Sequence, residues 1–98
     1  MMVRYRARAL EDIASIYDRL AMHGREIAER VEAAVLAATD LLGERPMLGV
    51  LTDYANVRRW PMADFRYAIC YRISTHGYID VLRVVDGRRV RNLKRVPR

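Results

Sequence analysis

The feature that most constrains this chain is an alternation. Phe65, Tyr67, Ile69, Tyr71 and Ile73 recur at every second position, the repeat of a β-strand with one side buried. Aromatic and β-branched residues supply it, and these suit a pleated, half-buried surface. Ser74-Thr75-His76-Gly77 follows with turn chemistry, Gly77 being free to take a positive φ. Residues 78–85 then read as a second strand, which so short a connection returns antiparallel. Asp86-Gly87 closes it as a turn pair. Ahead of this hairpin, Val57-Arg58-Arg59-Trp60 reads as a shorter strand ended by Pro61.

The first half has a different period. After a short alternation of Val3 and Tyr5 with Arg4 and Arg6, which suits a charged edge strand, apolar residues recur at spacings of three and four. Leu10, Ile13, Ala14, Tyr17, Leu20 and Ala21 form the predicted inward stripe of a helix that begins near Ala7 and that Gly24 stops. A second helix is predicted from residue 25 or 26 to 42, with Ile27, Ala28, Val31, Ala34, Val35, Ala38, Leu41 and Leu42 inward and Gly43 at its end. So short a link makes the two helices antiparallel neighbours. Leu36 falls off the stripe beside Ala33 and Ala37. One exposed leucine is ordinary. Extended by Ile16, the same residues form an expected apolar landing site for a partner. Residues 43–56 read as a connector that packs down through Met47, Leu48, Val50 and Leu51.

The order is therefore β-α-α-β-β-β. One helical layer on one sheet buries both apolar stripes and one sheet face. The expected architecture is α+β: a helical hairpin on one face of a mainly antiparallel four-stranded sheet. The other face, bearing Arg66, Ala68, Cys70 and Arg72, is expected to stay open.

Length and composition set the limits. Residues 1–98 make one domain, ending in a basic segment at 90–98. No apolar run approaches the ~20 residues of a membrane helix, and the first residues lack a signal-peptide core. The expectation is a cytoplasmic protein without membrane contact. Cys70 is the single cysteine, so no internal disulfide forms. Two lone histidines and one cysteine show no metal-ligand spacing, and no phosphate loop or nucleophile motif is present. No metal or cofactor is expected. His76 reads as a turn residue and His23 as a helix-end residue.

Charge is unevenly placed. Net charge is +6. The first 56 residues carry seven cations and nine anions, and the rest carry eleven and three. Seventeen of the eighteen cations are arginine, a side chain that pairs bidentately with phosphate and carboxylate. Arg58, Arg59, Arg66, Arg72, Arg83 and Arg89 fall on or beside the strands. They read either as a solvated basic surface, pairing in part with Asp64, Asp80 and Asp86, or as a contact surface for an acidic or polyanionic partner.

The helix-helix-strands order joins several local patterns: Pro46-x-x-Gly49, Val57-Arg58-Arg59, Tyr67-x-Ile69-x-Tyr71-Arg72, and Ile79-Asp80-Val81-Leu82-Arg83-Val84-x-Asp86-Gly87-x-Arg89. Together, from Val3 to about Arg89, these resemble the RelE/ParE superfamily of toxins from bacterial type II toxin–antitoxin systems. The resemblance implies a toxin held inactive in a hetero-oligomer by an antitoxin with an acidic, helical C-terminal part. It implies one of two activities: ribosome-dependent mRNA cleavage, as in RelE-like members, or inhibition of DNA gyrase, as in ParE-like members.

The residues lean to the second. RelE-like nucleases commonly have arginine after the tyrosine that opens the central strand, where this chain has Ala68. Arg58, Arg59 and Arg89 match their basic positions. Nothing here matches the tyrosine or histidine that many carry near the C-terminus. RNA cleavage needs proton transfer as well as charge stabilisation, and arginine hardly deprotonates. On the ParE-like side, Asp86 stands where a histidine is frequent, beside Arg88 and Arg89. Besides a gyrase-binding toxin and a ribonuclease, the residues also fit a basic binding module with no toxicity.

Overall fold

A computed structural model describes residues 1–87; the basic segment 90–98, with Arg88 and Arg89, lies outside the described residues. The elements are β1 (Met2–Tyr5), α1 (Ala7–Ala21), α2 (Arg25–Glu44), β2 (Val50–Leu51), β3 (Val57–Pro61), β4 (Tyr67–Ile73) and β5 (Tyr78–Asp86). They form a five-stranded sheet in the order β1-β5-β4-β3-β2. The α+β class and the element order stand, but the sheet has five strands rather than four. The extra strand is β2, where Val50 and Leu51 pair antiparallel with Arg59 and Arg58. Both its residues are exposed, so it leaves no alternation to read.

From β2 to β5 the chain meanders antiparallel. β1 lies at the far edge, parallel to β5, with Met2 opposite Tyr78 and Tyr5 opposite Val81. Arg4 ties this edge down. Its Nε donates to Asp80 Oδ1 at 2.9 Å and its guanidinium lies 4.3 Å from the Tyr78 ring centre. The hydrogen bond from Arg4 holds the Asp80 carboxyl below the usual carboxylate range. A carboxylate with a lowered folded pKa adds stability that is present above its unfolded pKa and is lost as pH falls through the folded one. Arg4→Ala is therefore expected to lower the urea midpoint at pH 7, and by less at about pH 3. An unchanged gap between the two proteins at both pH values would contradict this assignment.

The core lies between the helices and one sheet face. Ile69, Tyr71, Ile79 and Val81 from the sheet meet Val31, Val35 and Leu42 from α2, all at most 2% exposed. A polar contact sits among them, Tyr5 Oη to Thr39 Oγ1 at 2.5 Å. The α2 stripe is as expected except at Leu41, which was read as inward and is 36% exposed, and the helix runs through Gly43 to Glu44. On α1 it is not. The buried residues are Ala9 and Ile16, with Ile13 and Leu20 packed against the core, while Leu10 is 55% exposed and Ala14 and Ala21 are exposed. This helix is apolar on two overlapping stripes. Turning Ile16 inward buries far more surface than turning Ala14 inward, and Ala9 lets the helix approach the sheet closely. Gly24, at φ 145°, serves as the first residue of the α2 cap rather than as the stop of α1. The hairpin turn is as read, with Gly77 at φ 89°.

The second sheet face departs from expectation. Arg66 and Arg72 are exposed, but Ala68 and Cys70 are 1% and 2% exposed, so the middle of that face is closed. Cys70 stands opposite Arg59 on β3 and Arg83 on β5. Directly opposed side chains lie about 5 Å apart at Cβ, so the two arginine stems flank Cys70, while Pro61 and Val85 flank Ala68. Burial pushes the Cys70 thiol up to about 11, against the pull of Arg83 and Arg59, and keeps it a protonated packing residue.

Among the described residues, no helix is long and apolar enough to cross a membrane, and no group of His, Cys, Asp and Glu is arranged to hold a metal ion.

Candidate interaction groove

Pairing between β1 and β5 stops at Val81, whose carbonyl accepts from Arg6 N at 3.0 Å. Past that point the edge of β5 meets α1. Asp12 makes the junction. Its Oδ2 accepts from Val84 N at 2.9 Å and from Arg83 Nε at 2.7 Å, and its Oδ1 accepts from Arg83 Nη2 at 3.0 Å. A strand amide that no neighbouring strand reaches is thus satisfied by a helix carboxylate. The hydrogen bonds that Arg83 donates to Asp12 push its guanidinium pKa further up and keep it charged.

Beside this junction opens a groove of about 660 Å³. Asp12, Ile16 and Arg19 of α1 form one wall, and Arg83, Val84 and Asp86 of β5 form another. Arg66 and Tyr67 close the end, where Arg66 Nη2 lies 2.6 Å from Asp86 Oδ2 and the Gly87 amide donates to the Arg66 carbonyl. Arg19 Nη2 donates to Tyr67 Oη at 3.0 Å.

The six arginines singled out in the sequence do not form one cluster. Adjacent strand residues point to opposite faces, and Arg58 and Arg59 do so. Arg58 shares a register line with Tyr71, and Arg59 with Cys70. Arg58 Nη1 donates to Gly49 O at 2.7 Å and reaches Met47 O at 3.5 Å, so it pins the connector. Arg59 keeps its Nε buried with no hydrogen-bond partner among the described residues. Arg66 and Arg83 are paired with Asp86 and Asp12 and border the groove. Arg72 is exposed on the second face, and Arg89 lies outside the described residues. Asp80 pairs with Arg4 instead of with the cluster.

The expected apolar patch on the helices is smaller than read. Leu36 is 46% exposed, with Ala33 and Ala37 exposed beside it. Ile16 is not part of that surface: it is 7% exposed and belongs to the core and to the groove wall. His76 sits at the tip of the β4–β5 hairpin, as read.

Asp12 and Arg19 were missed as site residues because the stripe chosen for α1 placed them towards solvent. A signal for them exists. Ala9, Asp12, Ile16 and Arg19 are spaced by three, four and three, so they stack on one side of the helix. Once Ile16 is turned inward, Asp12 and Arg19 border the sheet.

Comparison with known proteins agrees with this architecture. A solved structure titled as a chromosomal ParDE TA system from P. aeruginosa superposes with a TM-score of 0.77 at 19% identity, covering 88% of this chain and 95% of the other. At that identity the likeness speaks for the fold alone. No curated protein gives a significant match. The family model described as ParE toxin of type II toxin-antitoxin system, parDE, matches residues 3–91. With nearly its whole length matched, this chain belongs to the ParE toxin family of type II toxin–antitoxin systems.

Proposed function

We propose that this protein acts by binding and inhibiting DNA gyrase and is neutralised by a cognate antitoxin. Membership in the ParE toxin family supports a toxin paired with an antitoxin. The observation that carries the choice of target class is the placement of Arg58 and Arg59. A ribonuclease site needs its cations to converge on one phosphate. These two point to opposite sheet faces, and Arg58 is already engaged with the Gly49 carbonyl. Arg66 and Arg83 are likewise paired with carboxylates. Burial raises the Tyr71 hydroxyl pKa, and that group is held between Gly49 N and Pro46 O, so it is not offered for proton transfer. Such a surface suits binding better than acid–base chemistry. Exposed Arg72, Ala33 and Leu36 are the contact positions we assign to the partner proteins.

Brief induction in a bacterium tests this reading. The expected result is growth arrest with relaxed or cleaved plasmid DNA and intact mRNA in the ribosomal A site. Arrest with A-site mRNA cuts and normal plasmid topology would assign the ribonuclease activity instead. Unaffected growth would point to a basic binding module.

A further inference from the structure

We infer that two copies of this chain pair through the outer edge of β2, with Leu51 opposite Leu51 of the second copy across a two-fold axis, so that two five-stranded sheets join into one. This pairing is independent of the toxin's target.

Backbone direction carries the argument. Thr52 N donates to Val57 O at 2.8 Å, which makes these two a hydrogen-bonded pair of the antiparallel β2–β3 ladder. Such pairs alternate with non-bonded ones, and the next pair along is Leu51 with Arg58. The N–H and C=O of Leu51 therefore point away from β3, over the edge of the sheet, and take no part in the ladder. On one side of Leu51, Gly49 has its amide and carbonyl engaged by Tyr71 Oη and Arg58 Nη1. On the other the chain turns back, with Val57 N donating to Tyr54 O at 3.2 Å. The edge thus offers one outward position, beside which a long strand of another protein finds no further partners. Two copies meeting antiparallel at Leu51 exchange both bonds, N–H to C=O in each direction.

The side chains suit the same axis. Met47 is 68% exposed, Val50 and Leu51 are 54% exposed and Tyr54 is 37% exposed. In the pairing, Leu51 meets its own copy on one face of the sheet. Val50 meets Thr52 of the second copy on the other, because adjacent strand residues alternate in direction. The four apolar residues expose roughly 400 Å² per copy, so the pair buries up to roughly 800 Å² from them, which with a polar rim approaches the ~1,200 Å² at which specific interfaces begin. That size fits a weak dimer, not an obligate one. β2 is an edge of the sheet, three strands from β5, where the described residues end.

Sedimentation equilibrium of the full chain reads the pairing, at about 0.3 M salt to screen the like net charge of +6 on the two copies. Wild type is compared with Leu51→Pro, Leu51→Lys and Leu36→Lys. Proline at position 51 removes an outward N–H that gives nothing to β3, a place where an edge strand tolerates it. Lysine there keeps the backbone and sets two charges at the axis. Leu36 is exposed on α2, so Leu36→Lys makes the same change on the other apolar surface. Expected is a wild-type dimer with a dissociation constant of about 10–100 µM. Both Leu51 changes should weaken it by about tenfold or more, and Leu36→Lys should stay within about twofold. Circular dichroism melts confirm that the proteins are folded, and Leu51→Lys carries the test if Leu51→Pro is not.

A folded wild type that stays monomeric at about 0.5 mM overturns the inference. So does a dimer that Leu51→Lys leaves unchanged, or one that Leu36→Lys weakens equally. If wild type is monomeric and Leu51→Lys instead weakens binding to antitoxin or gyrase, the edge belongs to that partner and the pairing fails, while the proposed function stands.

Discussion

Replacing Tyr71 by Ala is expected to bring this domain close to unfolding, and removing only its hydroxyl is expected to lower the melting temperature by roughly 10 °C. Tyr71 is fully buried. Its Oη accepts from Gly49 N at 2.8 Å and donates to Pro46 O at 2.7 Å. Tyr71→Phe leaves that amide and that carbonyl unmatched, a loss of about 2 kcal/mol. Tyr71→Ala adds a cavity, for a total of about 4 kcal/mol or more, against the 5–15 kcal/mol typical of a whole domain. The same junction forbids a side chain at residue 49. A Cβ there would stand 2.5 Å from Tyr71 Oη and 2.6 Å from its Cε1. The ring is held at both ends of its hydroxyl and cannot swing away, so Gly49→Ala is expected to cost about 1–3 kcal/mol. Thermal melts of the three variants check this. Tyr71→Phe within a degree or two of wild type would mean that the connector is held by something other than this hydroxyl.

The second large effect belongs to Asp12. Asp12→Ala removes the acceptor of the Val84 amide and the partner of Arg83 in one step. The expected loss is about 2 kcal/mol, most of it from the stranded amide. The Arg83 side chain is 39% exposed, so solvent screens its part of the pair, and Arg83→Ala is expected to cost about 1 kcal/mol or less. Asp12→Asn keeps an oxygen for Val84 and should fall between the two. Urea denaturation separates these cases. A loss for Arg83→Ala as large as that for Asp12→Ala would show that the ion pair, not the amide, holds α1 to β5.

These two junctions also mark how far the sequence could be read. Alternation at residues 65–73 identified β4 and its buried side, because a half-buried strand repeats every two residues and no helix does. The α2 stripe was equally legible, its apolar residues forming a single band. The α1 stripe was ambiguous because apolar residues cover two bands, and the choice between them is made by the sheet. Misreading it moved Ile16 to the surface and hid Asp12 and Arg19. β2 was illegible for another reason: two exposed residues on an edge carry no periodicity, and what holds them is a set of contacts, from Arg58 and Tyr71 to the connector and from Thr52 to the Val57 carbonyl, that no repeat announces. The arginines were visible as residues but not as a site. Asp86 is legible as a pairing residue and pairs with Arg66, whereas Asp12 lies 71 positions along the chain from its partner Arg83. Periodicity assigns a side chain to a face; it does not say which carboxylate will be waiting there.

Plasmid supercoiling by purified gyrase, titrated with this protein, decides whether gyrase is its target. The expected result is a dose-dependent loss of supercoiled product, relieved when antitoxin is added first. Full supercoiling by gyrases from several bacteria, at a large molar excess of a folded toxin that still binds its antitoxin, would contradict it.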